Sequence, residues 1–189
     1  MKTAIVLTAA GMGRRFRHAS GEHKLLTAWN GKAVLKHTLD QARASGMEVV
    51  VVSRPEDVAI HSLLGDAVRV LCASAGLGES IAAGVSACTD YDGVIVALGD
   101  MPWLTAASYR AVNRALSTYP LVRPWVDDRA GHPVGFSAAF FPALRQLTGD
   151  TGAQQLLQHH PVHYVPLRDR GCLEDVDYPD DLRRIRCSP

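Results

Sequence analysis

The chain has 189 residues, 47% of them hydrophobic, and 20 basic against 19 acidic side chains give it a formal charge of +1. That apolar content can fill one core, so residues 1–189 are expected to form a single domain. The balanced charge, with no basic tract or interleaved aromatics, disfavours nucleic acid as a partner, and the lack of a signal core or spanning apolar run leads us to expect no membrane partner and a soluble, cytoplasmic chain.

The first element, Thr3 to Thr8, contains the apolar run Ala4, Ile5, Val6 and Leu7 without alternation, as in a parallel strand buried on both faces. It runs into Ala9, Ala10, Gly11, Met12 and Gly13, followed by Arg14, Arg15 and, further on, Lys24. Small residues let backbone N–H groups approach an anion, and the basic side chains add positive charge, so this reads as a phosphate-handling loop. It is not a P-loop, because Gly31-Lys32 is followed by Ala33. Nor is it a dinucleotide fingerprint: Phe16 occupies the third small position, and the second strand ends in Ser53-Arg54 without an acidic ribose ligand.

Helix spacing follows over Ala33 to Ala44, then a strand over Met47 to Ser53, a short helix over Glu56 to Leu64 and a strand over Ala67 to Cys72. Gly76-Leu77-Gly78-Glu79-Ser80 opens another helix, whose N–H groups and Ser80 hydroxyl either serve a ligand or merely cap it. A buried strand over Tyr91 to Leu98 and a helix capped by Thr105 and running to Leu116 complete an alternation that predicts an α/β, Rossmann-like doubly wound, mostly parallel sheet. Beyond Ser117 the pattern weakens. Tyr119 to Val126, with Pro120 and Pro124, suits an edge or bent strand; Asp127 to Gly131 is a turn before His132 to Ser137. Two short helices (138–147 and 151–158), a strand over Val162 to Leu167, and a last helix from Tyr178 to Ile185 with Pro179 in its first turn close the chain.

Asp100, in Leu98-Gly99-Asp100-Met101-Pro102, is delivered to the carboxyl edge of the sheet, where it either holds a divalent cation or caps the following turn. The acids of Glu174 to Asp181 fit a solvated helix start, with Asp177 just ahead of it and able to face the site. Cys72, Cys88, Cys172 and Cys187 form no C-x-x-C pair and are read as reduced thiols, and the histidines lack metal-site spacing.

Together LTAAGMGRRF, HKLL (23–26), GLGESIAAGV (76–85), LGDMP (98–102), GHPVGFS (131–137), GDTGAQQLL (149–157) and EDVDYPDDL (174–182) resemble, in order, the motifs of the MobA-like nucleotidyltransferases, most closely the molybdenum cofactor cytidylyltransferase branch. The resemblance implies transfer of a nucleoside monophosphate, CMP from CTP, to a phosphorylated acceptor, the molybdopterin cofactor, with release of pyrophosphate and a molybdoenzyme or its chaperone as a further partner. Ala9, Ala10, Gly11 and Gly13 would lie against the nucleotide, with Gly78 and Ser80 at its base or ribose. Arg15 and Lys24 would act on the phosphates, Asp100 and Asp177 would hold Mg2+, and His132 and Pro133 would face the acceptor. Ala10 stands where the guanylyltransferase branch has glycine, which implies a preference for CTP over GTP.

This chain departs from the family pattern by inserting Arg17 to His23 ahead of Lys24, which admits a mobile lid hinged at Gly21, and by placing Tyr178 before Pro179. A sugar phosphate or other small phosphorylated acceptor, or a non-catalytic nucleotide-binding maturation factor, are the alternatives.

Overall fold

The structure is a computed structural model that describes residues 1–74 and 76–184. Apolar runs and amphipathic stretches alternate as the sequence predicts. β1 (Thr3–Thr8) is followed by α1 (Arg14–Ser20), the small hairpin β2 (Ala28–Trp29) and β3 (Lys32–Ala33), then α2 (Val34–Ala44) and β4 (Glu48–Ser53). Next come α3 (Val58–His61), β5 (Val68–Leu71), α4 (Leu77–Ser86), β6 (Gly93–Leu98) and α5 (Ala106–Leu116). The remainder comprises β7 (Leu121–Val126), β8 (Arg129–Ala130), β9 (Val134–Ser137), α6 (Phe141–Leu144), α7 (Gln154–His159), β10 (His163–Pro166) and α8 (Asp181–Arg184).

The sheet order is β10-β7-β9-β6-β1-β4-β5, with β8 paired to β7. β1 lies parallel to both β4 and β6, whereas β9 runs antiparallel to β6 and β7. The chain moves outward from β1 through β4 to β5 and then crosses to β6 on the other side of β1. The loops that leave β1 and β6 therefore emerge side by side at the carboxyl edge, where such sheets hold ligands. Gly99 N donates to Thr8 O at 2.9 Å and locks the two loop starts together.

Both faces of β1 are buried. Ile5 and Leu7 pack with Leu35 and Leu39 of α2 and Tyr109 and Val112 of α5; Ala4 and Val6 pack with Ile81 and Val85 of α4 and with Leu144 of α6. Each large apolar side chain so buried contributes about 1.5–3 kcal/mol.

The structure corrects several sequence expectations. The helix expected over Glu56 to Leu64 contracts to Val58–His61, because Leu63 N and Leu64 N turn to Ile60 O and His61 O in tighter i−3 bonds. Thr105 supplies no side-chain cap to α5. Instead the Asp169 carboxylate accepts from Thr105 N at 3.0 Å, Thr105 Oγ1 at 2.7 Å and Ser108 Oγ at 2.6 Å. β7 is an interior strand between β9 and β10, not an edge. It tolerates Pro124 because its ladder with β9 covers only Leu121 and Val122, and that with β8 begins at Trp125. The turn at Asp127 and Asp128, with φ of 47° and 58°, closes the β7–β8 hairpin.

The first of the two short helices shrinks to a 3-10 turn, Ala138–Phe140, followed by α6. The last helix begins at Asp181, beyond Pro179, and the Asp181 carboxylate accepts from the N–H groups of Asp177 and Tyr178 at 2.9 and 2.7 Å. Ile185 and Cys187 lie outside the described residues. Cys72, Cys88 and Cys172 are free and buried. Among the described residues, no helix is long and apolar enough to cross a membrane.

Candidate active site

The glycine-rich loop ends at Gly13, in the left-handed region at φ 55°, where it becomes the N-cap of α1. Its missing side chain also admits the stem of Lys24: a Cβ at Gly13 would stand 3.1 Å from Lys24 Cγ. α1 absorbs most of the residues inserted ahead of Lys24. Phe16 anchors it among Val34, Val176 and Leu182. Gly21 is its C-cap and donates from N to Arg17 O at 2.7 Å, so the helix ends there.

The insertion leaves Lys24 in the centre. Lys24 Nζ donates to Asp100 Oδ2 at 2.5 Å and to Val176 O at 3.1 Å, with Asp177 Oδ1 3.9 Å away. The Lys24 and Asp100 side chains are only 12% and 14% exposed, so water screens this pair weakly. Val176 N donates to Asp100 O at 2.9 Å and ties the acidic segment to the loop after β6. Arg15 Nη1 meets Asp177 Oδ2 at 2.7 Å, but at 68% and 38% exposure this pair contributes at most about 1 kcal/mol.

Asp100 Oδ1 is buried and has no hydrogen-bond partner. An orphaned carboxylate oxygen, with a second carboxylate just across a lysine, is a hard oxygen donor set of the kind a divalent cation takes while sharing phosphate oxygens. Asp100 and Asp177 therefore fit a divalent metal. Desolvation, followed by the charges of Asp100 and Asp177, pushes the Asp175 carboxyl above the usual carboxylate range. From sequence Asp175 counts among the acids of a solvated helix start, and it is exposed beside the buried Val176.

A cleft of about 510 Å³ opens beside these groups, lined by Met12 to Phe16, Lys24 and Asp177 together with Ser74, Gly76, Glu79, Gly149 and Asp150. A recess of about 220 Å³ passes Thr8, Ala9, Gly11, Gly13, Ser80, Leu98 and Asp100. The expected nucleotide residues are placed unequally. Ala9, Gly11, Gly13 and Ser80 line the recess. Ala10 is 0% exposed, so its methyl is packed inside the protein and does not line the recess.

The Gly78 amide is already engaged, donating to Gly149 O at 2.8 Å. A Cβ there would lie 2.6 Å from the Thr148 backbone, so Gly78 permits the 148–150 segment to close on α4. Glu79, which sequence reading passed over, holds the same segment by accepting from Gly149 N at 3.0 Å. Ser80 Oγ donates to Gly76 O at 2.9 Å, four residues earlier in the chain.

His132 lies apart from the aspartates. It lines a cavity of about 240 Å³ that shares Leu77 and Leu98 with the recess, and Pro133 beside it is buried. Burial, aided by the charge of Arg123, pushes the His132 imidazole down to about 4, so it is neutral near pH 7.

Residues 4–164 match the MobA-like NTP transferase domain. The chain belongs to the MobA-like NTP transferase family. It is a nucleotidyltransferase by that membership, and the cleft of about 510 Å³ and the recess of about 220 Å³ meet near the end of β1. Purine catabolism protein PucB of Bacillus subtilis (strain 168) is 27% identical, over 96% of this chain and 94% of its own. Nicotine blue oxidoreductase of Paenarthrobacter nicotinovorans is 26% identical, over 95% and 94%. Rv0371c of Mycobacterium tuberculosis H37Rv has a similar structure, with a TM-score of 0.87 at 27% identity over 100% of this chain and 99% of its own. The same mycobacterial protein has been solved in complex with manganese, and that structure matches with a TM-score of 0.83 at 25% identity over 98% of each chain. The two sequence relatives carry unlike names, so similarity to them conveys the family rather than an acceptor.

Proposed function

We propose that this NTP transferase, as one domain over residues 1–189, transfers CMP from CTP to a phosphorylated acceptor, the molybdopterin cofactor, with Mg2+ as its metal. The observation that carries this reading is the Lys24 ammonium placed between Asp100 and Asp177, with Asp100 Oδ1 buried and unpartnered at the meeting of the β1 and β6 loops. Ala9, Gly11 and Gly13 give the triphosphate a close backbone approach, and Ser80 meets the ribose or base. Gly78 serves by bringing 148–150 over α4.

Asp100 and Asp177 would hold the metal, which supplies charge neutralisation of the phosphate oxygens. An acceptor phosphate, with a second pKa of about 6, arrives as a dianion and needs no general base. Its oxygen bonds to the α-phosphorus as the bond to the bridging oxygen breaks, and that electron pair leaves with pyrophosphate. Arg15 is exposed enough to follow the phosphates, and Lys24 is fixed beside the carboxylates; both stabilise the charge that grows on the leaving group. His132 and Pro133 form part of the acceptor side.

The test is Mg2+-dependent pyrophosphate release from CTP that requires a phosphorylated acceptor. Asp100→Asn should keep the fold and lose most of this activity, whereas wild-type turnover in that variant would remove Asp100 from the site. Tight CTP binding without release in any acceptor panel would favour the non-catalytic maturation factor.

A further inference from the structure

The cavity of about 240 Å³ that contains His132 is walled mostly by apolar side chains, among them Ile81, Val96, Val134 and Phe136. Four polar residues interrupt that surface: Thr151 and Gln154, both exposed, and Arg123 and His132 deeper in the fold. Arg123, half-buried on β7, spends its Nε on Gly131 O at 2.8 Å, and among the described residues no carboxylate forms an ion pair with it. Its desolvation lowers the guanidinium from its ordinary range, as expected for a cation drawn from water without an anion facing it. His132 contributes a buried Nδ1 with no hydrogen-bond partner.

A guanidinium without a carboxylate partner and a buried ring nitrogen without a hydrogen bond, side by side in a largely apolar wall, are two polar groups that an anionic ligand would complete. At about 30 Å³ per water the space holds about eight waters, or a one- or two-ring group, but no complete nucleotide. The shared walls Leu77 and Leu98 join it to the recess that reaches Asp100, so a molecule can extend from one to the other.

We infer that this cavity seats the non-reacting end of the acceptor, and that Arg123 selects acceptors whose ring system carries an anionic oxygen, with His132 hydrogen-bonded beside it. The word acceptor rests on the nucleotidyl-transfer reading above; the binding chemistry of the cavity does not. Arg123 is thus a specificity residue, and the reacting phosphate remains with Lys24 and the aspartates. Charge-assisted hydrogen bonding to the guanidinium makes the anion, more than the ring, the recognised feature.

The test uses 1-naphthoate and its neutral counterpart 1-naphthamide on the full chain, with calorimetry for affinity and amide NMR shifts for location. Naphthoate should bind at least about tenfold more tightly than naphthamide, with shifts at Arg123, His132 and Phe136. Arg123→Gln should reduce naphthoate to the affinity of naphthamide and leave naphthamide unchanged. Gln154→Trp, at the exposed rim of the cavity, should weaken both without disturbing the core. Equal binding of acid and amide, indifference of naphthoate to Arg123→Gln, shifts confined to the nucleotide cleft, or no binding of either probe would each overturn the proposal. Parallel pyrophosphate release from CTP separates the two readings. Probe binding as expected without any release leaves the anion cavity standing and removes nucleotidyl transfer; the reverse result removes the cavity assignment alone.

Discussion

Lys24→Met isolates the charge at the centre of the site. Lys24 Nζ lies 2.5 Å from Asp100 Oδ2 and 3.9 Å from Asp177 Oδ1, so the ammonium balances the carboxylates that would hold a metal. A +2 and a +1 charge about 4 Å apart repel by about 2 kcal/mol even at the dielectric of water, and by more where solvent is excluded. With Lys24 12% exposed, 2 kcal/mol is a lower figure. Methionine keeps an apolar stem against Gly13 and removes the charge. Mn2+ titrated into nucleotide-free protein and followed by water-proton relaxation should therefore bind Lys24→Met at least about 30-fold more tightly than wild type. Without metal the variant should lose about 1–3 kcal/mol of stability, since Asp100 is left shielded and unpaired, and Mn2+ should restore it. Turnover should nevertheless fall by about a hundredfold, because the leaving pyrophosphate loses a fixed positive charge. Unchanged or weaker Mn2+ binding, or undiminished turnover, would show that Lys24 does not share its carboxylates with a metal.

Arg15→Ala should leave urea unfolding within about 1 kcal/mol of wild type, because its pair with Asp177 is exposed, while lowering the maximal rate more than CTP affinity; a raised Michaelis constant with an unchanged rate would make Arg15 a docking residue. Gly78→Ala places a methyl 2.6 Å from the Thr148 backbone and should cost about 1–3 kcal/mol while freeing the Gly149 amide to exchange, and protected exchange at Gly149 would contradict that packing role. The His132 imidazole sits at about 4 in the fold against 6.5 for the free group, so between those values the unfolded chain takes up a proton that the folded chain refuses. Stability should thus fall as pH drops through that window, by up to about 3 kcal/mol. His132→Gln should flatten the fall, and parallel urea-midpoint profiles for the two proteins would count against a neutral buried ring.

The β1 and β6 strands and the placement of Asp100 were legible because a parallel strand buried on both faces must be a near-continuous apolar run, and the loop composition changes sharply where it ends. The C-terminal half was less legible for a physical reason: its short elements are fixed by distant partners. Asp169 caps α5 across 64 residues in sequence, and Pro124 sits inside the sheet because two neighbouring ladders stop on either side of it. Local propensity registers neither. In the site, the family motif located Lys24, yet only the fold shows that α1 absorbs the insertion and returns Lys24 to Asp100. Ala10 shows the converse, since its position was legible but its full burial was not.

The most direct measurement is pyrophosphate release with CTP and GTP side by side, at matched Mg2+ and with a panel of phosphorylated acceptors that includes the molybdopterin cofactor. Nucleotidyl transfer to such an acceptor predicts release that needs both metal and acceptor, and faster release from CTP by about 10 to 200-fold, the range that a small steric difference supports. Equal or better use of GTP would contradict the cytidylyl assignment, and the absence of release from any triphosphate with any acceptor would contradict the proposed chemistry itself.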